Sequence, residues 1–298
     1  MKFAHIRYSR YSTWFDSLSK YIDGYKAFDV SNHLIQDLVV HNPEVVFIQS
    51  AINFDHKFVS TLRELLPKAK LIGHHNTTYK DKHMKVFLMY DLIFVGMREM
   101  KRDFSIAGIN TKILLNAFDP LNGLRELPLI HTVLFAGSVY LKPGFHNKRL
   151  IYLNELLKNV PTTMRAVLGR RIFNSYPAGF RKANYKAVKA PLLYQEIKSH
   201  PIVFNCHADI ATEATNMRMF ETCGVGSLLL TDYHSNLNNI FKIDEEVLVY
   251  RDVKEMIEKA LWALDNRREA NEIAEAGYKR LLKDHTVAIR SKQFIKEF

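Results

Sequence analysis

Cysteine is nearly absent: Cys206 and Cys223 in 298 residues are too few and too spread for a disulfide framework or a zinc knuckle, so a reducing compartment is expected. Long apolar runs are missing too. Stretches such as 91–95 and 227–230 fall far short of the roughly 20 residues that a bilayer span needs. Met1-Lys2 leads straight into Phe3-Ala-His-Ile6 without a secretory apolar region, which points to the cytoplasm. No G-x-G-x-x-G follows the first strand pattern, where Tyr8-Ser-Arg-Tyr-Ser12 stands instead, so a dinucleotide-binding domain is disfavoured at this end. Zinc-finger, helix-turn-helix and RNP signatures are lacking as well, as is H-E-x-x-H. Acids are scarce in one window: residues 142–189 hold eleven Lys/Arg against Glu155 alone, and so supply +10 of the net charge of +11. That window is either a solvated basic face or an anion-facing patch for diphosphates, a phospholipid headgroup or nucleic acid.

What remains is ordinary globular composition, 47% hydrophobic and 24% charged, at a length comfortable for two domains. In the first half, strand patterns at 2–8, 45–49, 70–73, 92–95 and 112–115 alternate with amphipathic segments such as 56–66 and 98–106. Short apolar strands between helical segments are the signature of a parallel sheet covered on both faces. Proline, glycine and asparagine then cluster over 118–128 without periodicity. The expected division is a first domain over 1–122, a linker over 123–130 and a second domain over 131–298. The second half repeats the alternation, with strands at 131–138, 164–168, 202–205, 228–230 and 247–250 and helices at 146–159 and 192–199. From Asp252 onward the chain reads as helical, with Asp252 as N-cap and Gly277 as a local stop.

The densest signal is 214–233, ATNMRMFETCGVGSLLLTDY: a helical segment, a glycine break, a buried strand and a polar stop. Arg218 and Glu221, three residues apart, share one helix face near its N-terminal end. An arginine at a helix N-terminus suits phosphate, and a carboxylate one turn on suits a sugar diol. Asn216-x-Arg218-x-Phe220-Glu221, the glycines after it and Leu230-Thr231-Asp232 resemble the C-terminal half of CgeB-like (spore-maturation-type) GT-B glycosyltransferases. The resemblance continues in 246–250, in Ile273-Ala-x-x-Gly277, and in His285-Thr286 with Arg290, and covers 131–298.

That resemblance implies an α/β protein of GT-B architecture, with two Rossmann-like parallel-sheet domains facing a central cleft. It further implies a nucleotide-diphosphate-sugar donor, no required metal and a last helix that crosses back to the first domain. The absence of any Asp-x-Asp accords with the metal-free expectation. Glu221 is then the ribose ligand, set against a plain ion pair with Arg218; Arg218 neutralises the diphosphate, set against that same pair. Asn216 completes the donor motif, and Glu213 stands from Glu221 at the spacing of the paired glutamates of many retaining GT-B enzymes. Gly137 and Ser138 end a strand where backbone N–H groups approach phosphate. Lys142, Arg149, Arg170 and Arg171 are further phosphate candidates.

In the first domain His74 and His75, at a strand end, are candidates for the base on an acceptor hydroxyl or for a phosphate contact. One of His207, Asp209 and Glu213 is expected to stabilise oxocarbenium charge. The expected function is transfer of a sugar to an acceptor hydroxyl in cell-envelope or surface glycan synthesis, with a glycan or lipid-linked glycan as acceptor. The protein is expected in the cytoplasm, peripheral on the inner face of an anionic membrane, without nucleic acid. The alternatives are a non-catalytic nucleic-acid-binding module using the basic window, and a GT-B-shaped phosphotransferase or epimerase.

Overall fold

The computed structural model describes residues 1–7, 14–119, 124–125, 128–141 and 144–298, with the backbone alone for 170–172. The chain divides into two compact units, Met1–Ala117 with Val287–Phe298, and Phe118–Thr286. Each is built on a six-stranded parallel sheet with helices.

The first sheet consists of β1 (Phe3–Arg7), β2 (Tyr25–Asp29), β3 (Val45–Ile48), β4 (Lys70–His75), β5 (Leu92–Val95) and β6 (Thr111–Ile113), in the order β2-β1-β3-β4-β5-β6. β3 and β5 are buried along their whole length, as a strand covered on both faces must be. The helix His56–Leu65 starts where Asp55 accepts the Phe58 N–H at 2.8 Å, and it turns Val59 and Leu62 into the core. β2 carries no sequence signal because only Phe28 of its five residues is buried, at the edge of the sheet. The helix Val287–Ile295 belongs to this unit. Its Phe294 ring lies 4.9 Å from Phe47 and 5.1 Å from Phe94, so the second domain closes at Thr286 rather than running to 298.

The second sheet consists of β7 (Val133–Val139), β8 (Thr162–Leu168), β9 (Asn184–Lys186), β10 (Ile202–Asn205), β11 (Leu228–Asp232) and β12 (Leu248–Tyr250), in the order β12-β11-β10-β7-β8-β9. The expected linker, 123–130, lies in part outside the described residues, as do the end of the first domain at 120–122 and the turn at 8–12; the observed division falls at Ala117/Phe118. Asp252 caps its helix as the sequence indicates, accepting the Glu255 N–H at 2.8 Å. No helix among the described residues is long and apolar enough to cross a membrane.

Gly277 is not a stop. The helix Arg267–Asp284 runs through it unbroken. The glycine is needed for space: a Cβ there would run into the Glu246 carbonyl oxygen, which is backbone and yields little. Gly277→Ala is therefore expected to destabilise the protein by about 2 kcal/mol, although alanine is the better helix former. Urea unfolding checks this; unchanged or raised stability would show that the backbone near Glu246 gives way freely.

Candidate functional site

In the second sheet the chain steps outward from β7 through β8 to β9, then returns to β10 and steps outward the other way. The order reverses between β7 and β10, and ligands of open α/β sheets sit outside the carboxyl ends of strands at such a reversal. Two helices begin beside that point, Asn147–Asn159 after β7 and Met217–Gly224 after β10. Each N-terminus presents backbone N–H groups without an intrahelical acceptor.

They differ in what meets those groups. Asp209 reaches across from the β10 side and accepts the Asn147 N–H at 2.7 Å and the Lys148 N–H at 3.0 Å, so a carboxylate already plugs the first helix. At the second, Asn216 is the N-cap but makes no capping bond with its side chain. Its amide donates instead to Asn205 Oδ1 at 2.8 Å, and Asn205 in turn donates to Thr231 Oγ1 at 2.9 Å, tying the helix start to the ends of β10 and β11. The first turn of Met217–Gly224 keeps no side-chain cap, which suits it to an oxyanion.

Arg218 and Glu221 are both on this helix. Arg218 Nε donates to the Ala136 carbonyl of β7 at 3.1 Å, and one terminal nitrogen donates to Glu221 Oε2 at 2.7 Å. Glu221 is 8% exposed, so its charge is answered inside the protein rather than by water. The Tyr194 phenol lies close to the Glu221 carboxylate; burial first, and that negative charge second, push the phenol up to about 12. A carboxylate has about four lone-pair directions, so the Arg218 bond leaves room for the two hydroxyls of a vicinal diol.

Gly137 and Ser138 lie in β7 at its carboxyl end. A Cβ on Gly137 would come no closer than 3.4 Å to the Phe135 ring, so packing does not demand glycine there. Arg149, expected on phosphate, is spent elsewhere. It donates to the Cys206 carbonyl at 2.9 and 2.6 Å, to the Ser138 carbonyl at 2.8 Å, and lies 2.9 Å from His146 Nε2. It staples the ends of β7 and β10 together, a positioning role. Asp209 likewise is a helix cap. Glu213 is buried beside Ala214, whose backbone N–H and carbonyl are both held by Asn236, at 2.7 and 3.0 Å.

At the end of β11, Asp232 gathers the His207 ring at 2.7 Å, Lys148 Nζ at 3.1 Å and the His234 ring at 3.3 Å. Burial alone would raise the Asp232 carboxyl, but the hydrogen bonds from the two histidines and the nearby ammonium hold it well below the ordinary range. Burial depresses His207 and outweighs its bond to Asp232. His207, Asp232 and His234 bring ligand-capable atoms within 4.8 Å of one another. They do not suit a cation, because the Lys148 ammonium already holds Asp232 Oδ2 and would repel it.

The geometry is matched by relationship. Residues 151–296 fit a family model described as glycosyl transferase-like. Over those residues the chain is similar to glycosyl transferase-like domains. No curated protein sequence matches the chain. Among solved structures, Anabaena HepE in complex with UDP-glucose is similar, with a TM-score of 0.74 at 10% identity, covering 100% of this chain and 99% of that one. Sucrose-phosphate synthase of Thermosynechococcus elongatus reaches a TM-score of 0.67 at 9% identity, covering 99% and 97%. At such identities the likeness speaks for fold, and the fold is GT-B, with two Rossmann-like parallel-sheet units.

Of the residues expected at a donor site, Asn216, Arg218, Glu221 and the end of β7 come together in space. Lys142 lies outside the described residues, as do the side chains of Arg170 and Arg171, whose backbone forms the turn after β8. In the first unit the two histidines part company. His75 is a core residue, its ring 5.0 Å from Phe87 and 6.1 Å from both Phe104 and Tyr79, and burial depresses it to about 3. This placement does not suit a base on an exposed hydroxyl. His74, on the opposite face of β4, is half-buried against Phe15 with Nδ1 on the Gln49 carbonyl, which leaves Nε2 as the atom able to act. Tyr194, Lys148 and His234 escape sequence reading; Lys148 alone had a local signal, its place beside Arg149 in the basic window.

Proposed function

We propose that the protein is a glycosyltransferase that moves a sugar from a nucleoside-diphosphate donor to an acceptor hydroxyl, in the manner of the CgeB-like group. The observation that carries this reading is the uncapped start of Met217–Gly224 with Arg218 and Glu221 on it, beside a neighbouring helix start that Asp209 has plugged. The diphosphate would rest on the first-turn N–H groups and Arg218, with the ribose diol on Glu221. The complexes of HepE with UDP and UDP-glucose support a nucleotide-sugar donor. As the glycosidic bond breaks, negative charge grows on the departing diphosphate, and fixed N–H dipoles with a guanidinium stabilise it without a metal. Glu213, buried nearby in the chain, is the candidate for facing the developing positive charge of the sugar. Of the two first-unit histidines, His74 rather than His75 is the candidate base on an acceptor hydroxyl. Hexosyl transfer in cell-envelope or surface glycan synthesis, in the cytoplasm at an anionic membrane, is the setting that the basic charge favours.

A nucleotide panel tests the reading by thermal unfolding. A ligand bound by the native state alone at 100 times its Kd stabilises by about 2.7 kcal/mol, a shift of a few degrees. Nucleoside diphosphates and their sugars should raise the midpoint, monophosphates less, and inorganic phosphate hardly at all. Indifference to every nucleotide, with steeply salt-dependent oligonucleotide binding, would favour the nucleic-acid module instead.

A further inference from the structure

Residues 156–195 contain no Asp or Glu at all. In the structure they form one margin of the second unit: β8, the short helix Ala178–Ala183, the edge strand β9 and the start of the helix Leu192–Lys198. The margin is anchored from within. Phe180 and Tyr176 are buried, and the Tyr176 hydroxyl donates to the Val139 carbonyl at 2.6 Å.

Outward, Arg181, Lys182 and Lys186 are exposed and have no acidic partner among the described residues. The same stretch of chain also carries apolar groups in water: Tyr185 at 61%, Leu192 at 67% and Phe173 at 39% exposure. Elsewhere on this unit the surface is managed differently. Lys254 pairs with Glu258, Lys279 with Glu275 and Lys242 with Glu245. A merely solvated basic face gains nothing from exposed Leu192 and Phe173, whereas a surface that meets lipid uses both kinds of group. Cations find headgroup phosphates while rings and aliphatic side chains enter the interfacial layer. Stacking of nucleic-acid bases is less well served, because the Arg165 guanidinium already lies over the Tyr185 ring at 5.3 Å.

We propose that this margin, centred on β9 and its flanking cations, docks the protein on an anionic lipid surface. The inference deepens the transferase reading by giving the acceptor a location, and the two fail separately. Flotation with phosphatidylcholine vesicles, with and without phosphatidylglycerol, is the test. The wild type should be captured by the anionic vesicles at low salt and released as salt rises past the range where the Debye length is about 10 Å. The variant R181Q/K182Q/K186Q should partition about 100-fold less, and Leu192→Ser about fivefold less, both with unchanged unfolding midpoints and unchanged UDP affinity by calorimetry. Capture that ignores lipid charge, no capture at all, or capture that the triple variant retains would overturn the proposal. So would oligoribonucleotide binding that the triple variant loses while vesicles are ignored. A wild type that binds UDP but no vesicles would sink the docking surface alone; a wild type that binds anionic vesicles but no UDP would sink the transferase reading alone.

Discussion

Arg218→Ala is expected to weaken nucleoside-diphosphate binding about 10- to 100-fold, the worth of a hydrogen-bonded charge at about 1.5–3 kcal/mol. It is also expected to cost stability, by about 3 kcal/mol, because it leaves the Glu221 carboxylate buried without its cation. The two effects separate in a pair of variants. In R218M/E221L the unpaired charge is gone, so unfolding by urea should return close to the wild type while calorimetry shows nucleotide affinity still lost. Tyr194→Phe keeps the ion pair but removes the phenol hydroxyl that lies close to Glu221. It should leave stability within about 1 kcal/mol and reduce the preference for ribonucleotides over 2′- and 3′-deoxynucleotides. Nucleotide affinity that survives R218M/E221L would mean that the pair only holds the helix in place.

The second large effect is on acid stability, and it resides in the first unit. Burial depresses His5 to about 3, His74 to about 4 and His75 to about 3. Each ring is neutral in the fold but binds a proton near pH 6.5 once the chain unfolds. The unfolded chain therefore takes up more protons as pH falls below 6.5, and stability is lost until His74 protonates within the fold near pH 4. Each group contributes about 1.4 kcal/mol per pH unit, so the three together give about 4 kcal/mol per pH unit, starting above the range where ordinary carboxylates titrate. Trp14 is buried in the first unit and its fluorescence can follow that unit through urea titrations at a series of pH values. His75→Phe, which keeps a ring among Phe87, Phe104 and Tyr79, should flatten the slope by about a third. A slope between pH 6.5 and 5 that the substitution leaves unchanged would show that His75 is not neutral in the fold.

Most of the architecture was legible because buried parallel strands are continuous apolar runs. Val45–Ile48, Leu92–Val95 and Ile202–Asn205 stand out for that reason. β2 and β9 did not, since both are edge strands, and β9 has no fully buried residue. Gly277 looked like a terminator because glycine usually ends helices; only the Glu246 carbonyl, 31 residues earlier in the chain, explains why it sits inside one.

The site follows the same division. Arg218 and Glu221 are neighbours on one helix turn, so their spacing alone brings them together. Arg149, by contrast, is adjacent to phosphate-type residues in sequence yet is consumed by carbonyls of β7 and of the residue after β10, a partnership that no local pattern records. The same holds for Asp209, whose capping of a helix start some sixty residues earlier decides which of the two helices is open. His74 and His75 show the limit most plainly: adjacent strand residues face opposite ways, and sequence does not say which one faces the core.

The central claim is that the start of Met217–Gly224 holds the pyrophosphate of the donor. A crystal structure with a bound nucleoside diphosphate tests it most directly. The account predicts phosphate oxygens within hydrogen-bond distance of the first-turn backbone N–H groups and of Arg218, with both ribose hydroxyls on Glu221. A nucleotide bound with its ribose away from Glu221 and its phosphates elsewhere, for example at the helix start that Asp209 occupies, would contradict it.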